Sequence, residues 1–177
     1  MPSANKRASA KLVIRRERGH IAMTRLMDSA ERLVTRYGVE GVSLRQILLE
    51  AGQTNKNAIA DYFGDKDGLI SAVIVRKIDE MNARRRQLIQ IAELGAALDD
   101  ALTLLEIINL PLAEVCERTG HYTYAAFLDR VMQDQTLSAQ WTSLSPDVAA
   151  PSALAIKRLR KMFVNLSRRS FELRLEY

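Results

Sequence analysis

From about Ile21 onward, apolar residues recur every three or four positions, the spacing that turns one side of a helix toward a core. Leu26, Ala30, Leu33, Val34 and Tyr37 make the first such stripe and predict a helix over 21–37. Gly38 follows, where a left-handed residue ends a helix at little cost. Ser43 opens a second, short helix: with Gln46 it forms the S-x-x-Q capping box, and Leu44, Ile47, Leu48 and Ala51 fall on one inward face before Gly52. A third helix starts almost at once, capped by Thr54 or Asn55, with Ala58, Ile59, Tyr62 and Phe63 facing inward and Gly64 closing it. Asp65 then caps a long fourth helix that reaches about Ala92, along which Leu69, Ile70, Val73, Ile74, Ile78, Met81 and Leu88 trace one stripe.

Beyond Gly95 the pattern is less punctuated. Residues 97–108 read as a strongly apolar helix that Pro111 should kink or restart. Residues 122–132 form another, with Tyr124, Phe127, Leu128 and Val131 as candidate core. The stretch 143–152, with two prolines, is the best loop, and 153–175 a last helix wide enough to face two neighbours. Strand-like alternation and internal repeats are absent. The expected fold class is all-α.

Charge sharpens this picture because it is unevenly placed. Residues 1–66 hold twelve Lys/Arg against seven Asp/Glu, and residues 67–177 hold fourteen of each, so the whole net charge of +5 belongs to the first third. Lys6, Arg7, Lys11, Arg15, Arg16 and Arg18 face only Glu17 there, which suits a polyanion: each neutralised phosphate releases condensed counterions. The duller reading is a solubilising tail. No apolar core follows these basic residues, as a secretory signal requires, and no run is apolar enough to span a bilayer. A single cysteine, Cys116, rules out an internal disulfide and fits a reducing compartment. The expectation is a soluble, cytoplasmic protein that does not engage membranes.

Candidate chemistry narrows the function further. Two isolated histidines, His20 and His121, and one cysteine do not supply the three or four ligands that metal catalysis needs. There is no phosphate-cradling glycine loop and no nucleophile elbow. Asp99 and Asp100 are neighbours, so they point to different sides of a helix. No enzyme activity, cofactor or metal is expected. The Arg84-Arg85-Arg86 run reads as a solvated face.

Three short helices with the turn Ala51-Gly52-Gln53-Thr54 between the second and third are instead the pattern of a helix-turn-helix. The third helix is polar outward, with Asn55, Lys56 and Asn57 at its start and Ala60 and Asp61 later. Asparagine can pair with adenine, and lysine reaches guanine acceptors or phosphate.

The fragments Leu26 to Ala30, Tyr37-Gly38, Gly41 to Ile47, Ala51-Gly52 and Tyr62 to Leu69 resemble, in order and spacing, the N-terminal domain of the TetR (tetracycline repressor) family over about residues 21–75. The resemblance implies a basic flexible arm (1–20), a DNA-binding domain (21–66) and a helical regulatory and dimerisation domain (67–177). It implies a homodimer that binds a palindromic double-stranded operator, as a repressor responsive to a small-molecule effector. By position, Ser43 and Arg45 would contact phosphates, and Thr54, Asn55, Lys56 and Asn57 would lie at base edges and phosphates. Tyr62 stands where the family often has histidine, and Lys66 where it has a phosphate-binding lysine. Cys116, Tyr122, Tyr124, Phe127 and Trp141 could line an effector pocket, or simply be core.

Departures from the family pattern matter as well. Ala60 and Asp61 replace aromatic or polar DNA contacts, and Asp61 is repulsive to phosphate unless it pairs with a neighbour such as Lys56 or accepts from cytosine N4. Relatives usually continue past the position of Phe171 through further dimer-forming helices, which implies a shortened dimer surface or a truncated product. The competing reading is an all-helical interaction protein that keeps the fold without specific DNA binding.

Overall fold

The structure, a computed structural model, describes residues 3–119, 123–142 and 146–175, with side chains for residues 16–118, 124–139, 150–171 and 174. Among the described residues it is all-α, with nine helices and no strand: α1 (Ser3–Tyr37), α2 (Leu44–Glu50), α3 (Ala58–Phe63), α4 (Lys66–Leu94), α5 (Ala101–Thr119), α6 (Thr123–Met132), α7 (Gln135–Thr142), α8 (Pro146–Met162) and α9 (Arg168–Leu175). None of them is long and apolar enough to cross a membrane. The chain forms two compact units. The first comprises residues 1–75 and 123–138, the second residues 76–122 and 139–177. The units therefore do not part at residue 66: α4 contributes to both, and α6 belongs with the N-terminal helices.

In the first unit, the stripe Leu26, Ala30 and Val34 is fully buried on α1, and Leu69, Ile70 and Val73 are fully buried on α4. α1 packs against both α2 and α6. From α6 come Tyr124, Phe127 and Val131, all fully buried, with the two rings stacked at 6.0 Å. Asp134 starts α7 by accepting the backbone N–H groups of Thr136 and Leu137, each at 3.0 Å, a cap that the sequence D-Q-T-L carries in plain view.

Three expectations need correction here. α1 begins at Ser3, not Ile21, so the basic segment read as a flexible arm is helical. Ala4, Ala8 and Ala10 among lysines and arginines are strong helix formers, and no glycine intervenes before Gly19. Tyr37 lies outward at the helix end, with the Arg36 guanidinium 5.2 Å from its ring centroid. On α2 only Ile47 is buried, while Leu44 is exposed and Leu48 half-buried, because a seven-residue helix touches its neighbours along one narrow edge.

In the second unit, α5 packs on α8, and Leu104, Ile107, Ala155 and Leu159 join Ala92 and Phe171 in one apolar cluster. The arginine run of α4 is not simply solvated. The Arg84 Nε donates to both carboxylate oxygens of Glu114, at 3.0 and 2.9 Å, and Arg85 donates to the Ile108 carbonyl at 3.2 Å, so both residues fasten α4 to α5. Its hydrogen bond to the Glu114 carboxylate holds the Arg84 guanidinium above its ordinary pKa. Asp100 caps α5, accepting from the Thr103 backbone and hydroxyl, each at 2.8 Å, which lowers its carboxyl below the ordinary value. Asp99 instead pairs with Arg158 at 3.3 Å.

The prolines behave differently from expectation. α5 runs through a buried Pro111 without a restart, since the ring's fixed φ is itself helical and only one backbone donor is lost. The segment expected to be a loop at 143–152 is already helical at Pro146, a first-turn position where no N–H is needed. The single last helix expected over 153–175 is two, because Ser167 starts α9 afresh by accepting from the Ser170 N–H at 3.1 Å.

Candidate nucleic-acid interface

Each element of the interface is set by a local rule. At α2 the capping box is complete: the Gln46 N–H donates to Ser43 Oγ at 3.3 Å, and Gln46 Oε1 accepts from the Ser43 N–H and hydroxyl, each at 2.8 Å. The far end of α2 closes on Gly52, whose φ of +64° is left-handed, with Gln53 N–H returning to the Leu48 carbonyl at 2.9 Å. Across the first helix, the Arg32 Nε donates to Glu50 Oε1 at 2.8 Å.

The approach to α3 is longer than expected. Neither Thr54 nor Asn55 is its N-cap: the helix starts at Ala58 with Asn57 before it. Asn55 Oδ1 accepts the Asn57 backbone N–H at 3.0 Å, and the Asn55 carbonyl accepts from Ala58 N–H at 3.2 Å. An asparagine side chain that captures the backbone two residues on makes a turn and delays the helix. Ala58 and Ile59 are then buried and anchor α3 against the unit, while Asn57, Ala60 and Asp61 stay exposed. Gly64, at φ +82°, ends α3, and Asp65 caps α4 by accepting from Gly68 N–H at 2.7 Å.

Ser43, Arg45, Thr54, Asn55, Lys56, Asn57 and Tyr62 are all exposed, and Lys66 is half-buried at the first position of α4. Arg45, Thr54 and Lys56 come together on one groove of about 710 Å³, whose other walls are Leu44, Leu48, Leu49 and Gln53. Ser43, Asn55, Asn57, Tyr62 and Lys66 do not line it. Tyr62 packs edge-on to Phe63, and a β-carbon at Gly19 of α1 would stand 3.6 Å from its hydroxyl. The sequence reading did not select Gln53 or Leu49. Leu49 could have been found, since it falls off the inward stripe of α2 and is 81% exposed.

Asp61 does not pair with Lys56. Its Oδ2 accepts from the Asn55 side-chain amide at 3.2 Å. Asn55 thus engages both ends of its amide within the protein, with oxygen to the Asn57 backbone and one N–H to Asp61.

The expected effector residues fall in both units or outside the described residues. Tyr124 and Phe127 are core of the first unit, while Cys116 is buried in the second; Tyr122 and the side chain of Trp141 lie outside the described residues, as does His121. The described residues contain no group of three or more His, Cys, Asp or Glu able to hold a metal ion.

Two supporting helices, a glycine turn and a third short helix with a polar, exposed start define a helix-turn-helix DNA-binding domain. Residues 26–73 match the family of bacterial regulatory proteins described as the tetR family, and this domain supports a DNA-binding transcription regulator of that family. No curated protein and no solved structure matches the chain.

Proposed function

We propose that this chain is a repressor that binds a palindromic operator as a homodimer, in the cytoplasm where bacterial DNA lies, and releases it when a small molecule binds. One observation supports this most: α3 is pinned by Ala58 and Ile59 while its outer side, with Lys56 and Asn57 ahead of it, is left open to solvent beside Arg45. That is the arrangement an element needs in order to enter a major groove.

Within this reading, Ser43, Arg45 and Lys66 hold phosphates, and Thr54, Lys56 and Asn57 approach base edges. Asn55 acts within the protein, on Asp61. Residues 67–177 carry dimerisation and effector binding, and the basic start of α1 adds phosphate contacts. No catalysis and no cofactor are part of the proposal. Effector binding would act by shifting the population of protomer spacings away from the one that fits successive half-sites.

The test is a titration of the full chain with a duplex from its own promoter region and with a random duplex, at several salt concentrations. A regulator prefers its operator by about three decades or more at physiological salt. Weak binding of equal strength to both duplexes, lost as salt rises, would identify the all-helical interaction protein instead.

A further inference from the structure

Asp61 puts a carboxylate on the side of α3 that is meant to meet a polyanion. Its geometry is constrained rather than incidental. Asn55 Oδ1 accepts the Asn57 N–H at 3.0 Å, which fixes the amide so that its NH₂ faces Asp61, and Nδ2 then donates to Asp61 Oδ2 at 3.2 Å. A flipped amide would set oxygen against carboxylate and NH₂ against N–H, so the assignment is unambiguous. Asp61 Oδ1 has no hydrogen-bond partner among the described residues, and the side chain is exposed. The result is a carboxylate held at one oxygen and presented at the other.

Base edges in the major groove respond to such a group very differently. Cytosine offers its N4 amino group as a donor. Guanine offers only the acceptors N7 and O6, thymine the acceptor O4 and a methyl group, and adenine sets its donor beside the N7 acceptor. A single carboxylate oxygen is therefore repelled by guanine and thymine, poorly matched to adenine, and satisfied by cytosine.

We propose that Asp61 is a specificity-determining residue that selects a cytosine in each operator half-site, and that Asn55 is its positioning residue. The inference rests on the DNA-binding reading given above. Asp61 lowers affinity for duplexes in general through phosphate repulsion and recovers it only where cytosine N4 is in reach. It thereby adds discrimination without adding overall affinity.

The experiment is selection of binding sites from random duplexes by the full-length chain and by D61N, D61A and N55A, with thermal unfolding of each variant alongside. The wild-type chain should enrich a site with cytosine at one fixed position per half-site, preferred over other bases by roughly ten- to a hundredfold. D61A should lose that preference while binding random duplex at least as well as the wild type. D61N should move the preference toward adenine, which an amide can pair with. N55A should keep cytosine but discriminate less, with an unfolding midpoint close to wild type.

If all four proteins enrich the same site with the same base at every position, Asp61 reads nothing and the inference falls, while the regulator reading stands. If the wild-type chain enriches no site, the regulator reading falls and takes this inference with it.

Discussion

The guanidinium of Arg32 on α1 and the carboxylate of Glu50 at the end of α2 meet at 2.8 Å, next to the glycine turn that leads toward α3. This pair fixes the end of the supporting helix at the point where the chain leaves it. Both side chains are partly solvated, at 56% and 34% exposure, so the contact is worth little on its own, about 0.2–1 kcal/mol. E50Q should lower unfolding free energy within that range in urea titrations at low salt, and the difference should shrink at high salt.

The cap at α2 is a stronger determinant. Ser43 satisfies the Gln46 N–H and receives Gln46 in return. S43A should destabilise the protein by about 1 kcal/mol in chemical denaturation, and S43D, which keeps an N-cap acceptor, should recover most of it. Since S43D also places a negative charge where a phosphate contact is proposed, DNA affinity should fall in S43D even as stability returns. A parallel recovery of both would remove Ser43 from the interface.

Lys66 and Asn57 should separate by the kind of loss they produce. K66A should weaken all duplexes about equally and reduce the slope of log affinity against log salt by about 1. N57A should change the preferred base at one position. Binding measured on a panel of single-base operator variants distinguishes the two, and a uniform loss in N57A would make Asn57 a phosphate contact.

The pH dependence of the second unit should carry the signature of Asp100. Hydrogen bonds from the Thr103 backbone and then its hydroxyl depress the folded-state pKa below the ordinary carboxylate value. A depressed carboxylate stabilises the fold at pH above its unfolded-state pKa and loses that contribution as pH falls through the folded-state pKa. D100A should therefore unfold at lower temperature than wild type near neutral pH. The gap should close in acid, below the ordinary carboxylate range, when followed by circular dichroism.

Where the sequence could be read, it was because one residue type decided one local geometry. Gly38, Gly52 and Gly64 all occupy left-handed backbone at helix ends, and the Ser43–Gln46 box appears as the spacing predicts. α3 starts later than its sequence predicts because Asn55 has two competing uses, capping a helix or making a turn, and only its neighbours decide between them. Pro111, Pro146 and Pro151 read as punctuation in the sequence, yet each sits in a helix, since proline excludes a donor and not the helical φ. The packing of α6 on α1 depends on partners roughly a hundred positions apart, which no periodicity within either helix encodes. For the interface, residue types and exposure were legible, whereas the clamp of Asn55 on Asp61 was not, because it joins two side chains through a turn of irregular shape.

The proline within α5 has a mechanical consequence. Pro111 brings no N–H to the Ile107 carbonyl, so one rung of that helix's hydrogen-bond ladder is open from the outset. Bending α5 at this rung breaks one backbone bond fewer than bending it elsewhere, so the helix ladder offers its least resistance to bending beside Pro111.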